Sequence, residues 1–320
     1  MRILILGAGG IGGYFGARLQ QAGADVSFLV REARAQRLRD TRLRVWSPLG
    51  DVQVTPELLT AVAEGNHFDL VLLSCKAYDL ASATDAIAPA VGPHSVVVPL
   101  LNGIAHLDEL DARFGRARVA GGVAHLALTV DETGAIRHLN ATQRLIIGAR
   151  TNPAPPALDW LGALVTRMSP DYTVSAGIEQ DMWDKLVFIS VLAGATCLMR
   201  ASIGDILDTR AGRSLIEGML DESAAIATAG GHAPSVDRLA GYRTQLTEAG
   251  STLTASMLRD VLRGAPTEAD HVLGDLVRRA GQWAVPTPRL DLALSALQAY
   301  EAARRRLSES SGLTTARACL

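Results

Sequence analysis

Apolar positions along the 320-residue chain fall into two textures. Through residue 177, short apolar runs alternate with amphipathic stretches. "RILIL" (2–6), "DVSFLV" (25–30), "FDLVLLSCKA" (68–77) and "SVVVPLLNG" (95–103) are largely apolar, as strands buried on both faces are. Helical patterns follow the first of these, ending at Gly23, and recur over 80–90 and 105–114. That alternation predicts a parallel sheet with crossover helices. "RLRVWSPLGDVQV" predicts a hairpin turning near Pro48-Leu49-Gly50, and residues 117–149 predict three antiparallel strands. Thr151–Ala157 holds three prolines and looks like a linker, yet a helix (158–168) and a strand ("YTVSA") that could finish the first sheet follow it. After residue 177 the pattern becomes helical to Arg306, with helices predicted over 178–199, 211–229, 235–248 and 268–281. The expected organisation is an α/β domain over 1–177, an all-helical domain over 178–308, and a polar, disordered tail over 309–320.

Composition changes this picture little. A formal net charge of −2 gives no basic excess, so neither nucleic acid nor an anionic membrane is expected as a partner. The three cysteines, Cys75, Cys197 and Cys319, form neither a metal spacing nor a disulfide framework, so no metal is expected and a reducing, cytoplasmic setting is. The apolar run near 186–199 is short for a bilayer span, and glycines interrupt "MRILIL" too early for a signal peptide.

The glycines after the first strand carry the first chemistry. Gly7-Ala8-Gly9-Gly10-Ile11-Gly12 gives strand, G-x-G-x-x-G and helix in that order, the fingerprint of a Rossmann dinucleotide-binding turn. Gly7 allows the tight turn, Gly9 lets the backbone approach a pyrophosphate, and Gly12 lets the helix pack on the strand. The helix N-terminus then offers N–H groups and partial positive charge to the phosphates. At the end of the second strand a carboxylate would select NAD; here Asp25 lies at the strand's start, and Arg31 stands at its end, with Arg34 one helical turn on. A guanidinium there suits the 2′-phosphate of NADPH, the expected cofactor, although a solvated arginine beside Glu32 would read the same. Lys76 and Asn102 sit at the C-terminal ends of two further strands, where ligands of such sheets bind.

In the helical half, Lys185 stands in a strongly apolar helix, where an ammonium either faces a cleft or snorkels to the helix edge. Ser256 and Glu268 follow, the latter in "PTEAD", which predicts a helix start with a carboxylate in its first turn. Alone, Ser256 reads as a surface hydroxyl, and Glu268 as a helix-terminal charge.

Together these stretches resemble the ketopantoate reductases (2-dehydropantoate 2-reductases), from "ILGAGGIGGYFGARL" through "SCKAYD" and "LLNGI" to "MWDKLVFISVLAGATCLMRASIGDI", "ASMLRDVLRGAPTEADHVLGDLVRRA" and "VPTPRLDLAL". The resemblance implies a Rossmann domain followed by a helical domain that completes the active site. It implies NADPH-dependent reduction of the ketone of a small-molecule 2-oxo acid to an alcohol, and a place in pantothenate biosynthesis. By that resemblance Lys185 is the proton donor, Glu268 assists it, Ser256 binds the substrate carboxylate, and Asn102 positions substrate and lysine. Lys76 then helps at the cofactor, and Arg31 takes the 2′-phosphate. A homodimer stays open.

One departure from the family pattern matters. The family places asparagines four and eight residues after the lysine, and here those positions are Ile189 and Ala193. Ser190 is one position off, about 100° around the helix, and Thr196 returns to that face further along. The substrate grip therefore differs, which leaves a less polar ketone or an imine as alternative substrates. A non-catalytic NADP-binding sensor is a further alternative, which the retained Lys185 and Glu268 argue against. His125 reads as a satisfied strand histidine, with substrate contact as its other reading.

Overall fold

The first four apolar runs pair as predicted. In a computed structural model, which describes residues 1–317 with side chains to residue 307, they form a parallel sheet. Its order is Glu57–Leu59, Asp25–Leu29, Arg2–Leu6, Phe68–Leu73 and Val91–Pro99. Leu4 registers with Ser27 on one side and Val71 on the other. Ile3, Leu4 and Ile5 are fully buried, as strands covered on both faces should be. All five strands point the same way, so Leu6, Leu29, Leu73 and Pro99 end on one edge. The edge strand Glu57–Leu59, mixed in polarity, has no clear sequence signature.

The hairpin forms as predicted, Leu43–Trp46 against Val52–Val54. Residues 117–149, in contrast, form four strands rather than three, shared between two sheets. Leu128–Val130 and Ile136–His138 pair with each other and, through the latter, with Leu43–Trp46. Gly121–His125 pairs instead with Arg144–Gly148, and Tyr172–Val174 lies parallel to that strand. The tight turn at Asp131 causes the split. Asp131 accepts the Ala135 N–H at 3.0 Å, and Gly134 takes φ +81°, so two short strands fold back before the chain returns. Val97 bridges Val119 and accepts the Ala120 N–H at 2.9 Å, which joins this last sheet to the edge of the first.

The chain divides into two compact units, Met1–Met182 and Trp183–Leu320. The division falls inside the helix Ile178–Met199 rather than at its start. Its first turn belongs to the first unit. A Cβ on Gly121 or Gly148 would collide with Ile178, so glycine alone lets that side chain sit down on the strands. Arg150 meanwhile donates to Glu179 at 3.1 Å and grips Asp111 in a two-pronged pair at 2.6 and 2.9 Å.

The second unit is helical: Ile203–Leu207, Gly212–Ala229, Val236–Leu246, Ser256–Leu262, a π-turn Asp270–Gly274 running into Asp275–Gln282, and Pro288–Arg317. Ile178–Met199 has the length and composition to cross a membrane, but 72% of its most apolar window is buried in protein. The last helix starts on a buried carboxylate: Glu222 accepts the Leu290 N–H at 2.9 Å and the Arg289 guanidinium at 3.2 Å. That helix continues past residue 308 into the segment expected to be a tail, where no proline interrupts its backbone bonding. The rest of that segment, residues 318–320 with Cys319, lies outside the described residues.

Candidate active site

Gly7 leaves the first strand at φ +87°, a conformation that a side chain would strain, and its N–H donates to Leu29 O at 2.9 Å. Gly9 then precedes the helix Gly10–Gln21 with no side-chain cap, and no acidic residue stands in the first turn. A Cβ on Gly9 would meet nothing within 4 Å, so the loop is open to a ligand there. A Cβ on Gly12 would collide with Ser74 Oγ, Gly7 O and Ile5, so the helix sits directly on the strands. Uncapped N–H groups, an open Gly9 and no nearby acid suit a pyrophosphate. Ala8, Gly10 and Ile11 complete the turn. Ser74, whose hydroxyl donates to Leu6 O at 3.1 Å, holds the turn to the neighbouring strand and was not singled out from the sequence.

Arg31 caps the helix Glu32–Thr41 at the same sheet edge, with 83% of its side chain exposed. Its guanidinium lies 3.3 Å from Asp79, on the turn Ala77–Asp79 that Lys76 caps. Arg34 is used differently. Its guanidinium donates to Ala8 O at 2.9 Å and Gly134 O at 3.1 Å, tying the glycine turn to the Asp131–Gly134 turn. Burial, with Arg37 nearby, pushes its pKa down. Asn102 follows the strand Val91–Pro99 in a bend, half-buried, before Gly103 at φ +81°. His125 ends its strand opposite Arg144, also half-buried.

In the second unit, Lys185 is half-buried on Ile178–Met199. Burial pushes its ammonium down to about 8, and the Glu268 carboxylate opposes that fall. Ile189 and Ala193 follow one and two turns on, the first half-buried and the second buried. Ser190 turns away into the core, bonded to Val187 O and Ser223 Oγ, both at 3.0 Å. Thr196 donates back to Leu192 O at 2.6 Å and accepts the Ala255 N–H at 3.5 Å, so its hydroxyl is occupied within the fold. Ser256 is exposed and opens the helix Ser256–Leu262. Glu268 is buried and immediately precedes the helical segment, at its cap rather than inside the first turn. Cys197 is inert: burial pushes its thiol up to about 12.

The structure thus gathers Gly7–Gly12, Arg31, Lys76 and Asp79 at one edge of the sheet, and couples Lys185 to Glu268 in the helical unit. Asp79 and the residues that fasten the Glu268 loop escaped the sequence reading. One sequence signal for the site was available: Lys76 and Lys185 are the only lysines among 31 Lys and Arg residues.

Residues 3–152 match the family model described as ketopantoate reductase PanE/ApbA, and residues 177–301 match the model of its C-terminal part. The chain belongs to the ketopantoate reductase family. It is an oxidoreductase of that family. It is 35% identical over 304 residues to the uncharacterized oxidoreductase YkpB of Bacillus subtilis (strain 168), covering 94% of this chain and 99% of that one. To the 2-dehydropantoate 2-reductase of Mesorhizobium japonicum it is 29% identical over 319 residues, covering 92% and 96%. The solved PanE/ApbA family ketopantoate reductase from Ralstonia eutropha JMP134 superposes with a TM-score of 0.84 at 25% identity, covering 95% of this chain and all of that one.

Proposed function

We propose that this ketopantoate reductase family member reduces the ketone of 2-oxo acids to an alcohol with NADPH, and favours an apolar group beside the carbonyl over ketopantoate. The observation that carries the reading is the coupling of Glu268 to Lys185, which stands on a helix whose next two turns present Ile189 and Ala193. When bound, NADPH supplies a hydride to the carbonyl carbon. The chain's residues do the rest. Negative charge grows on the carbonyl oxygen, the Lys185 ammonium stabilises it, and Nζ then gives the oxygen its proton. An ammonium near 8 is a better acid at neutral pH than an ordinary lysine, yet it still carries its proton there. Glu268 keeps that proton in place. Ser256 holds the substrate carboxylate, Asn102 orients the substrate, the glycine turn seats the pyrophosphate, and Arg31 with Lys76 meets the cofactor's remaining phosphate.

The apolar preference draws support from a further pair. Phe188, three residues after Lys185, packs its ring 5.1 Å from Tyr242 of the helix Val236–Leu246. Hydrocarbon and aromatic surface beside an acid group suits a substrate with an apolar substituent. Ketopantoate itself is the second reading, favoured by likeness to the Mesorhizobium enzyme. NADPH oxidation with a panel of 2-oxo acids, bulky ketones and imines tests both. Turnover of no member of the panel would overturn the assignment.

A further inference from the structure

Glu268 sits in a short connection between the helix Ser256–Leu262 and the π-turn Asp270–Gly274. Such a connection would not hold a carboxylate in place by itself, since glycine and proline (Gly264, Pro266) break its regularity. The helix Pro288–Arg317 fastens it on both sides of Glu268. Before it, the Tyr300 hydroxyl donates to Ala265 O at 2.7 Å. Next to it, Glu301 Oε1 accepts both the N–H of Thr267 at 2.7 Å and its hydroxyl at 2.9 Å. Beyond it, Gln298 Nε2 donates to Asp270 Oδ1 at 2.9 Å.

The Glu301 contact is the strongest of the three. Its side chain is 15% exposed, and the Arg304 guanidinium lies 3.0 Å from its other oxygen, Oε2. Burial works to raise its pKa, yet the Thr267 N–H and hydroxyl and Arg304 hold it below the usual range, so the carboxylate is the form in place. Asp260 and Arg200 add opposing charges near the adjacent Tyr300. Charge-assisted bonds from one carboxylate to both donors of one residue fix the backbone as well as the side chain.

We propose that Glu301 is a positioning residue: the two hydrogen bonds that it accepts from Thr267 fix the backbone next to Glu268 and hold that carboxylate within reach of Lys185. The proposal rests on the Lys185–Glu268 assignment above. Without Glu301, Thr267 loses both of these bonds and the Glu268 carboxylate drifts from the ammonium. Lys185 then feels burial with less opposing charge.

The chain's lysine content allows a direct test without substrate or cofactor. Protein labelled with [6-13C]lysine has only Lys76 and Lys185 to report, and a Lys76→Arg variant assigns the two signals. The Lys185 signal in the parent should titrate near 8. Glu268→Gln should lower that midpoint. Glu301→Ala should lower it by about half a unit or more, the scale of an opposite charge moved outward in a partly buried site. Glu301→Gln keeps an acceptor oxygen for Thr267 and should titrate with the parent. Thr267→Val removes one of the two bonds and should shift the midpoint the same way by less, which keeps the test available if Glu301→Ala does not fold. A midpoint unmoved in Glu301→Ala and Thr267→Val, or moved equally by Gln and Ala at position 301, would overturn the proposal. Turnover of Lys185→Ala separately decides the assignment beneath it: parental turnover there removes both, whereas lost turnover with unmoved midpoints removes this inference alone.

Discussion

Glu268 opposes the burial of Lys185, leaving its ammonium with a pKa of about 8 instead of an ordinary lysine's value of 10.5. A proton donor must carry its proton, so it works below its pKa and fails above it. Turnover should therefore fall as pH rises through about 8. Glu268→Gln removes the charge that props the value up, so the alkaline limb should move to lower pH. Steady-state rates from pH 6 to 10 check both, and an alkaline limb unchanged in Glu268→Gln would contradict the coupling. Lys185→Ala should lower turnover about 100-fold or more, with cofactor affinity nearly unchanged.

Arg31 and Asp79, 3.3 Å apart and exposed, are the pair expected to set the choice of cofactor. Arg31→Ala should weaken NADPH by about 1–3 kcal/mol, the range for bonds to a charged partner, and NADH very little. Asp79→Asn removes a carboxylate that competes for the guanidinium and repels a phosphate. It should tighten NADPH about 1.5–5-fold, the scale of an exposed charge interaction. Calorimetric titration of both cofactors against both variants tests this, and equal parental affinities for NADPH and NADH would defeat it.

Stability of the first unit should depend on Arg150, whose side chain is 3% exposed between Asp111 and Glu179. Arg150→Ala leaves Asp111 and Glu179, which are partly exposed, with Arg116 alone, at 3.7 and 2.8 Å. A loss of about 1.5–3 kcal/mol is expected, the scale of hydrogen bonds to a charged group. Urea unfolding measures it, and a loss below about 1 kcal/mol would place the trio with ordinary surface pairs.

How legible all this was depended on how local each feature is. The glycine turn could be read because its demands lie in the backbone: a positive φ at Gly7, open space at Gly9, close packing at Gly12. The bounds of Ile178–Met199 were likewise plain, since an acidic first turn with Glu179 and Asp181 leads into an apolar stretch that runs to Met199. Contacts between distant residues were not legible. Asp79 meets Arg31 across 48 positions and Glu301 meets Thr267 across 34, and neither pairing leaves a period in the sequence. The four strands of residues 121–148 read as three in the sequence because alternation shows a strand but not which sheet it joins.

The face beyond Lys185 is proposed to select an apolar substrate. Ile189 and Ala193 would desolvate polar groups of ketopantoate without replacing their bonds, at about 1–3 kcal/mol each. Two such losses amount to about 10²–10⁴ in catalytic efficiency. The direct measurement is kcat/KM with NADPH for ketopantoate and for 2-oxo acids bearing alkyl or aryl groups, on the parent protein. An alkyl or aryl 2-oxo acid should exceed ketopantoate by that margin. Ketopantoate turned over more efficiently than every analogue would contradict it.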